Sequence, residues 1–426
     1  MLLTRRRLLA SAASLGVAAA LASPAHADSS GGTDEDSIWD ILARSARMKA
    51  VDKDKNTEAA LSIIDTPEPI LSFDTANNIQ ERIAYYQQVV QAGGWQPPSR
   101  QMFGLSVGKD GHAVIDLKRF LIMVGDMENA KVVDEHFDDA CDLGVRRFQV
   151  RHGIIPTGKI DELTFYAIQV PADKRLAQLQ LNLQRVQEVA AKLNDDRYVV
   201  VNIPAASIEA VEAGQVAERH TAVVGRIDRP TPILDSKIQQ INFNPYWHVP
   251  KSLIEKDLIT YMNDDPNYLT KFKIHIYDAK GNEVQPTDID WHTDDAVNYS
   301  FRQEPGADNS MGHCKINFPN KFDVYLHDTP TKSLFAENAR FHSSGCVRVE
   351  GVDQLVNWLL GPNGGWDQDA IEAVFNSNER LDVNLKKPTP IHTTYVSAWA
   401  NKNGIVSFRD DVYQFDAQGL VDTTTA

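Results

Sequence analysis

Three cysteines in 426 residues are too few to staple a fold together. Cys141, Cys314 and Cys346 form an odd set, so at least one thiol stays free or reaches another molecule. Basic residues are also short: 43 Lys and Arg stand against 58 Asp and Glu, a net charge of -15. That balance argues against a nucleic-acid partner and against anionic membrane surfaces. Long apolar runs are missing beyond the first 27 residues. No later stretch approaches the roughly 18 apolar residues that a membrane span needs. No H-E-x-x-H or H-x-x-E-H spacing occurs, so the zinc-hydrolase signatures are absent too. What remains is ordinary: 42% hydrophobic and 24% charged residues, in a length that suits two or three domains.

The first 27 residues read as an address rather than as fold. "MLLTRRRLLASAASLGVAAALASPAHA" has a basic start, an apolar stretch and a small-residue end, with Ala25-His26-Ala27 as the cleavage pattern. Arg5-Arg6 after Thr4 resembles a twin-arginine export signal. The expected location is the periplasm. Export sharpens the question of the odd thiol, because an oxidising compartment favours paired cysteines.

Residues 28–110 read as a polar lead-in followed by helical scaffold, with "TANNIQERIAYYQQVVQ" at helical spacing and Gly93-Gly94 as its stop. Residues 111–172 form a compact helical unit. Phe137, Cys141, Gly144 and Phe148 lie along one helix face, a turn falls at Thr157-Gly158, and a further helix begins near Asp161. Cys141 on that face reads as core. A long helix over 173–196 connects this unit to the C-terminal half of the chain. From 197 to 415 the texture changes to short β-rich runs such as "RYVVVNIP", "FDVYLHD" and "CVRVEG", with a polar, irregular insertion at 251–310. Residues 416–426 are a tail.

Chemistry concentrates near Cys346. A thiol nucleophile needs a base, a group that orients the base, and donors for the developing oxyanion. His327 ends an alternating strand and can project from the sheet rim as the base. An imidazole beside a thiol is expected to favour the thiolate. Ser343 is the orienting candidate. The amides around Ser344, Gly345 and Cys346 are the oxyanion candidates, because glycine permits a turn that aims successive N–H groups one way. Arg348 should share a face with Cys346, where its charge could hold a substrate carboxylate or favour the thiolate. Tyr325 should wall the cleft beside His327. Trp247 could be a platform for substrate, and Asn309 and Gly312 shape the cleft entrance. Cys314 alternates with Ile316 and reads as packing, although a disulfide to Cys346 is conceivable.

These residues carry two resemblances. "FDDACDLGVRRFQVRHGIIPTGKIDELTFYAI" resembles the small peptidoglycan-binding domain of wall enzymes. His327, fifteen intervening residues, then Ser343-Ser344-Gly345-Cys346-Val347-Arg348 resembles the signature of the L,D-transpeptidases, a cysteine family that remodels peptidoglycan. "VVGRIDRPTPILDSKIQQINFNPYWHVP" and "RQEPGADNSMGHCKINFPNKFDVYLHDTP" look like its large branch. The implied fold class is α+β: a helical peptidoglycan-binding-like domain, then a mostly-β catalytic domain with an inserted capping subdomain. One departure stands, since Ser344 replaces the family's usual histidine.

The resemblance implies acyl transfer with no metal and no cofactor. Cys346 would attack a tetrapeptide stem, release terminal D-Ala and pass the acyl group to a side-chain amine on a neighbouring stem. The implied partners are peptidoglycan stem peptides, with carbapenems as covalent inhibitors. The same residues would serve a carboxypeptidase, an endopeptidase or an enzyme attaching proteins to the wall. A non-catalytic wall-binding module is the rival from another class, and Ser344 is the feature that favours it.

Overall fold

A computed structural model describes residues 54–129 and 132–420. The export signal, most of the polar lead-in and the last six residues lie outside that range. Among the described residues six α-helices come first: α1 (Lys55–Leu61), α2 (Phe73–Gln91), α3 (His112–Val124), α4 (Asp139–Arg151), α5 (Glu162–Gln169) and α6 (Ala172–Ala190). Their starts are written in the sequence. Ser72, Asp138 and Asp161 each accept a hydrogen bond from the backbone N–H three residues on, satisfying an otherwise orphaned donor.

Helices α3 to α5 enclose a core of Leu117, Leu121, Phe137, Cys141, Phe148 and Ile168. Cys141 is fully buried there, and burial pushes its thiol up to about 12. Gln149, also fully buried, makes the Phe-Gln pair intelligible. Its amide donates to Thr157, Lys159 and Thr164 and accepts from the Gly158 N–H, so one side chain pins the whole turn. Helices α2 and α6 pair elsewhere, against a hairpin of β14 (Ala398–Ala400) and β15 (Val406–Phe408) that comes after the remaining strands.

The strands that build the β-domain are β1 (Arg197–Asn202), β2 (Ser207–Glu212), β3 (Gln215–Gly225), β4 (Leu234–Phe243), β9 (Cys314–Asn317), β10 (Leu326–His327), β11 (Phe341–Ser343), β12 (Val347–Val349) and β13 (Leu381–Thr394). Their order is β11-β3-β12-β10-β9-β4-β13-β1-β2, and β2 also pairs with β3. That last pairing closes eight strands on one another, with β11 appended to β3. Val199, Ile208, Val224, Ile241, Leu326 and Val347 fill one face, sealed by α7 (Val352–Leu360).

The insertion is a folded unit rather than an irregular loop. Its strands β5 (Trp247–His248), β6 (Ile274–Tyr277), β7 (Glu283–Val284) and β8 (Ser300–Gln303) form a second sheet, ordered β5-β8-β6-β7. It has its own core of Ile254, Leu258, Met262, Ile276 and Phe301. The polar texture of 251–310 comes from the solvent face of a small sheet and from its turns.

Candidate active site

Register assembles the site. Strands β10 and β12 are parallel, with Leu326 opposite Val347 and His327 opposite Arg348. Val347 donates its N–H to the Tyr325 carbonyl at 3.0 Å, which extends that register by one step. Strand β9 runs antiparallel on the other side, with Lys315 opposite His327. Side chains alternate along a strand. Tyr325, His327, Cys346, Arg348 and Lys315 therefore share one face, while Leu326, Val347 and Ile316 point into the core. Cys346 and His327 are diagonal neighbours, roughly 7 Å apart at Cα on such a surface.

Cys346 is half-buried, and all three cysteines are free. Cys314 is fully buried on the core side, where its thiol is held well above the ordinary range by burial. The two thiols leave opposite faces of the sheet, and no disulfide joins them.

The expected thiolate is not the resting form. Burial is the largest influence on Cys346 and raises its pKa, against hydrogen bonds from Tyr325 and the charges of Lys315 and Arg348. Burial likewise lowers His327 to about 3, helped by Arg348 and opposed by the Asp328 main-chain carbonyl. The pair rests as thiol and neutral imidazole. Both charged forms are disfavoured in the absence of substrate.

Ser343 does not orient His327. Its hydroxyl donates to the Cys346 carbonyl and accepts from the Gly345 N–H at 3.2 Å. It braces the nucleophile's own turn, and His327 Nδ1 is buried with no well-aligned hydrogen bond among the described residues. The Gly345 amide is thereby spent, which removes Gly345 as an oxyanion donor and leaves the Ser344 and Cys346 amides. Gly345 is needed for its backbone instead, at φ +111, a conformation that L side chains rarely adopt. Thr231 completes the brace, donating to the Gly345 carbonyl at 2.9 Å and accepting from the Gly225 N–H at 2.8 Å.

Asn309 is a second correction. It is 1% exposed, its amide donates to the Pro245 and Glu304 carbonyls, and its oxygen accepts from the Met311 N–H. No group remains on it to bind substrate. It fastens the loop that enters β9. Gly312 in that loop approaches Asp328 so closely that a Cβ would fall 2.3 Å from the carboxylate.

Tyr325 does more than wall the cleft. Its ring meets the His327 ring edge-on at 5.7 Å, and Cys346 and Trp247 both bear on its ionisation. Trp247 thus brings the insertion to the same cleft. Arg348 has a buried Nε with no partner and no ion pair among the described residues. It is a cation facing the cleft with no carboxylate of its own.

Two residues escaped the sequence reading. Lys315 lies with Nζ 4.2 Å from the Tyr325 ring centroid and acts on both Cys346 and His327. The alternation that placed Cys314 in the core also placed Lys315 outside it, and that signal was available. Arg229 binds Asp257 of the insertion at 2.5 and 2.9 Å and donates to the Ser344 hydroxyl at 3.0 Å. Nothing local in the sequence joins residues so far apart. His342 is exposed and paired with Glu337 at 2.9 Å, remote in role from the thiol.

A half-buried cysteine and a buried imidazole share one sheet face, and Arg229 ties the cysteine's turn to the insertion that carries the separate small sheet, a class of site that can support chemistry at a thiol. Comparison narrows the class. Residues 196–397 match the L,D-transpeptidase catalytic domain (YkuD) family, and residues 110–168 match the family described as "Putative peptidoglycan binding domain". The chain therefore carries an L,D-transpeptidase catalytic domain behind a peptidoglycan-binding domain. A "Putative L,D-transpeptidase" of Haemophilus influenzae is 35% identical over 265 residues, 62% of this chain and 50% of that protein. The chain thus matches half the length of that curated relative. Among solved structures, the L,D-transpeptidase of Xylanimonas cellulosilytica shares 14% identity over 70% of this chain and 100% of its own, at a TM-score of 0.22. L,D-transpeptidase 3 of Mycobacterium tuberculosis shares 13% over 47% of this chain and 61% of its own, at 0.24. LdtMt1 in complex with imipenem shares 14% over 47% of this chain and 60% of its own, at 0.23.

Proposed function

We propose that this chain is an exported peptidoglycan L,D-transpeptidase that works through a Cys346 acyl-enzyme. The observation that carries the reading is the shared face of β9, β10 and β12, where Cys346, His327, Tyr325 and the unpaired Arg348 converge. In the first step the Cys346 sulfur bonds to the carbonyl carbon of the L-to-D peptide bond in a tetrapeptide stem, and His327 takes the thiol proton. The C–N bond breaks, and the same proton passes to the departing D-Ala amine. In the second step a side-chain amine of a neighbouring stem attacks the thioester, gives a proton to His327, and restores the thiol. The product is a direct cross-link between two diamino acids. Arg348 holds the substrate carboxylate, and the Ser344 and Cys346 amides receive the oxyanion.

The neutral resting pair suits this scheme. A raised thiol and a lowered imidazole favour proton transfer in concert with attack rather than a standing thiolate that an oxidising periplasm would capture. The Ser344 hydroxyl, tied to Arg229, fills the place of the histidine in the family signature. The decisive experiment has two arms. Intact mass after exposure to a carbapenem should rise by one adduct and stay unchanged in Cys346→Ala. Tetrapeptide-bearing muropeptides should yield dimers. Monomers shortened by one residue, with no dimers, would make the protein a carboxypeptidase, and no adduct would make it a wall-binding module.

A further inference from the structure

A cavity of about 270 Å³ opens away from the cleft, between the described end of the lead-in, β2, β3 and the β14–β15 hairpin. Its charges do not balance. Glu209 is paired with Arg219 at 3.1 Å, and Glu68 with Lys402 at 3.0 Å. Two guanidinium groups in its wall, Arg340 and Arg409, have no ion pair among the described residues. Each has a buried Nε without a hydrogen-bond partner. They also act on each other: Arg340 is the second-largest influence depressing Arg409, after burial. Asp410 opposes this from a narrower neighbouring cavity of about 40 Å³, where it also faces Arg175. Glu350 acts on Arg340 from outside.

The geometry leaves donors over. Arg409 uses Nη1 alone, on the carbonyls of Arg151 and Phe408, with its plane 4.8 Å from the Trp399 ring centroid. Its Nε is packed over Gly153, so Nη2 is the donor left for an oxyanion. Arg340 is held by the Glu337 and Ala205 carbonyls at 2.8 and 3.0 Å, which fix its head without neutralising it. Asp410 and Glu350 act on these cations without forming an ion pair with either, so two facing guanidinium groups on backbone supports remain only partly compensated, a costly arrangement. An anion from outside would relieve it.

We propose that this cavity is a second binding site, separate from the acyl-transfer cleft, for a small ligand carrying an oxyanion group, carboxylate or phosphate, gripped by Arg340 and Arg409. The volume admits a group the size of a short peptide terminus or a phosphorylated sugar, below that of most drug-sized ligands. Residue Arg340 lies six positions before Cys346, and its carbonyl accepts from the Val224 N–H at 2.9 Å, so occupancy would bear on the strand that leads to the nucleophile.

Thermal unfolding of the full chain tests this, at constant ionic strength, with inorganic phosphate in one arm and malonate in the other. A saturable rise in midpoint of about 5 °C is expected in at least one arm. A response to phosphate alone identifies a phosphate-bearing ligand, and a response to malonate alone a carboxylate. Arg409→Gln should abolish the rise. Ser207→Asp, which supplies a carboxylate from the cavity wall, should raise the midpoint without ligand and remove the response. The second variant keeps the test open if the first folds poorly. No saturable rise in either arm, or an equal rise in both variants, overturns the proposal. Neither variant touches the cleft, so carbapenem labelling of Cys346 should be unchanged in both and reports separately on the acyl-transfer reading.

Discussion

At the scale of single residues, charge in the cleft decides behaviour. Because the Cys346 thiol is raised, its alkylation by iodoacetamide should quicken steadily from pH 7 to 9. A rate already flat across pH 6 to 8 would show a thiolate–imidazolium pair instead. Arg348→Gln removes a cation with no internal partner, so the fold should hold while acylation by stem peptide slows. A charge-assisted hydrogen bond to a carboxylate contributes ~1.5–3 kcal/mol, about 10- to 150-fold in kcat/KM. An unchanged kcat/KM would remove Arg348 from substrate binding. The cysteine and histidine were legible because their spacing is a linear pattern. The role of Ser343 was not, since a hydroxyl three residues from a thiol can face the base or its own turn, and only backbone geometry chooses. Asn309 misled for a similar reason. An amide before a cleft strand looks available until its three hydrogen bonds are counted.

Elements tell a different story about legibility. Helices with side-chain caps and periodic apolar faces were readable, because a helix is a local object. The long strand β13 was not, although it is the backbone of the sheet between β1 and β4. Its sequence "LDVNLKKPTPIHTT" is polar and carries two prolines. The structure accommodates Pro388 in a register break between Asn384 and Thr389, while Pro390 keeps the register opposite Lys237. The joint between insertion and nucleophile turn is likewise a product of folding. Arg229→Gln should free the insertion from Ser344 at a cost of about 1–3 kcal/mol locally, because Asp257 loses its bidentate partner. Limited proteolysis should then cut within 247–303 faster than in the parent. Equal cutting would show that Trp247 and the hydrophobic contacts hold the roof unaided. Gly345→Ala should be more severe, since φ +111 admits alanine only under strain of ~1–3 kcal/mol at the turn that bears the thiol.

For the molecule as a whole, two buried histidines contribute to the loss of stability in acid. His327 has a folded pKa of about 3, and His152, stacked on Phe148 at 4.0 Å, is also held well below its ordinary value by burial. A depressed histidine adds stability that is present above the unfolded value of 6.5 and is lost as pH falls toward the folded one. Each unit of depression carries ~1.4 kcal/mol. The urea midpoint should therefore fall between pH 6.5 and 4, and less steeply in His327→Gln; parallel curves would remove His327 from that loss. Composition foretold nothing of this, because burial belongs to the assembled chain. Phe341 belongs to it as well. Its ring packs against both the helical core and the β-domain core, two residues before Ser343, with Ala339 set into the helical side. A boundary drawn by sequence at residue 196 thus cuts through a shared joint. Shortened versions that begin there would leave that ring facing water on the very strand that delivers the thiol, so a dead fragment would say more about the missing neighbour than about the chemistry.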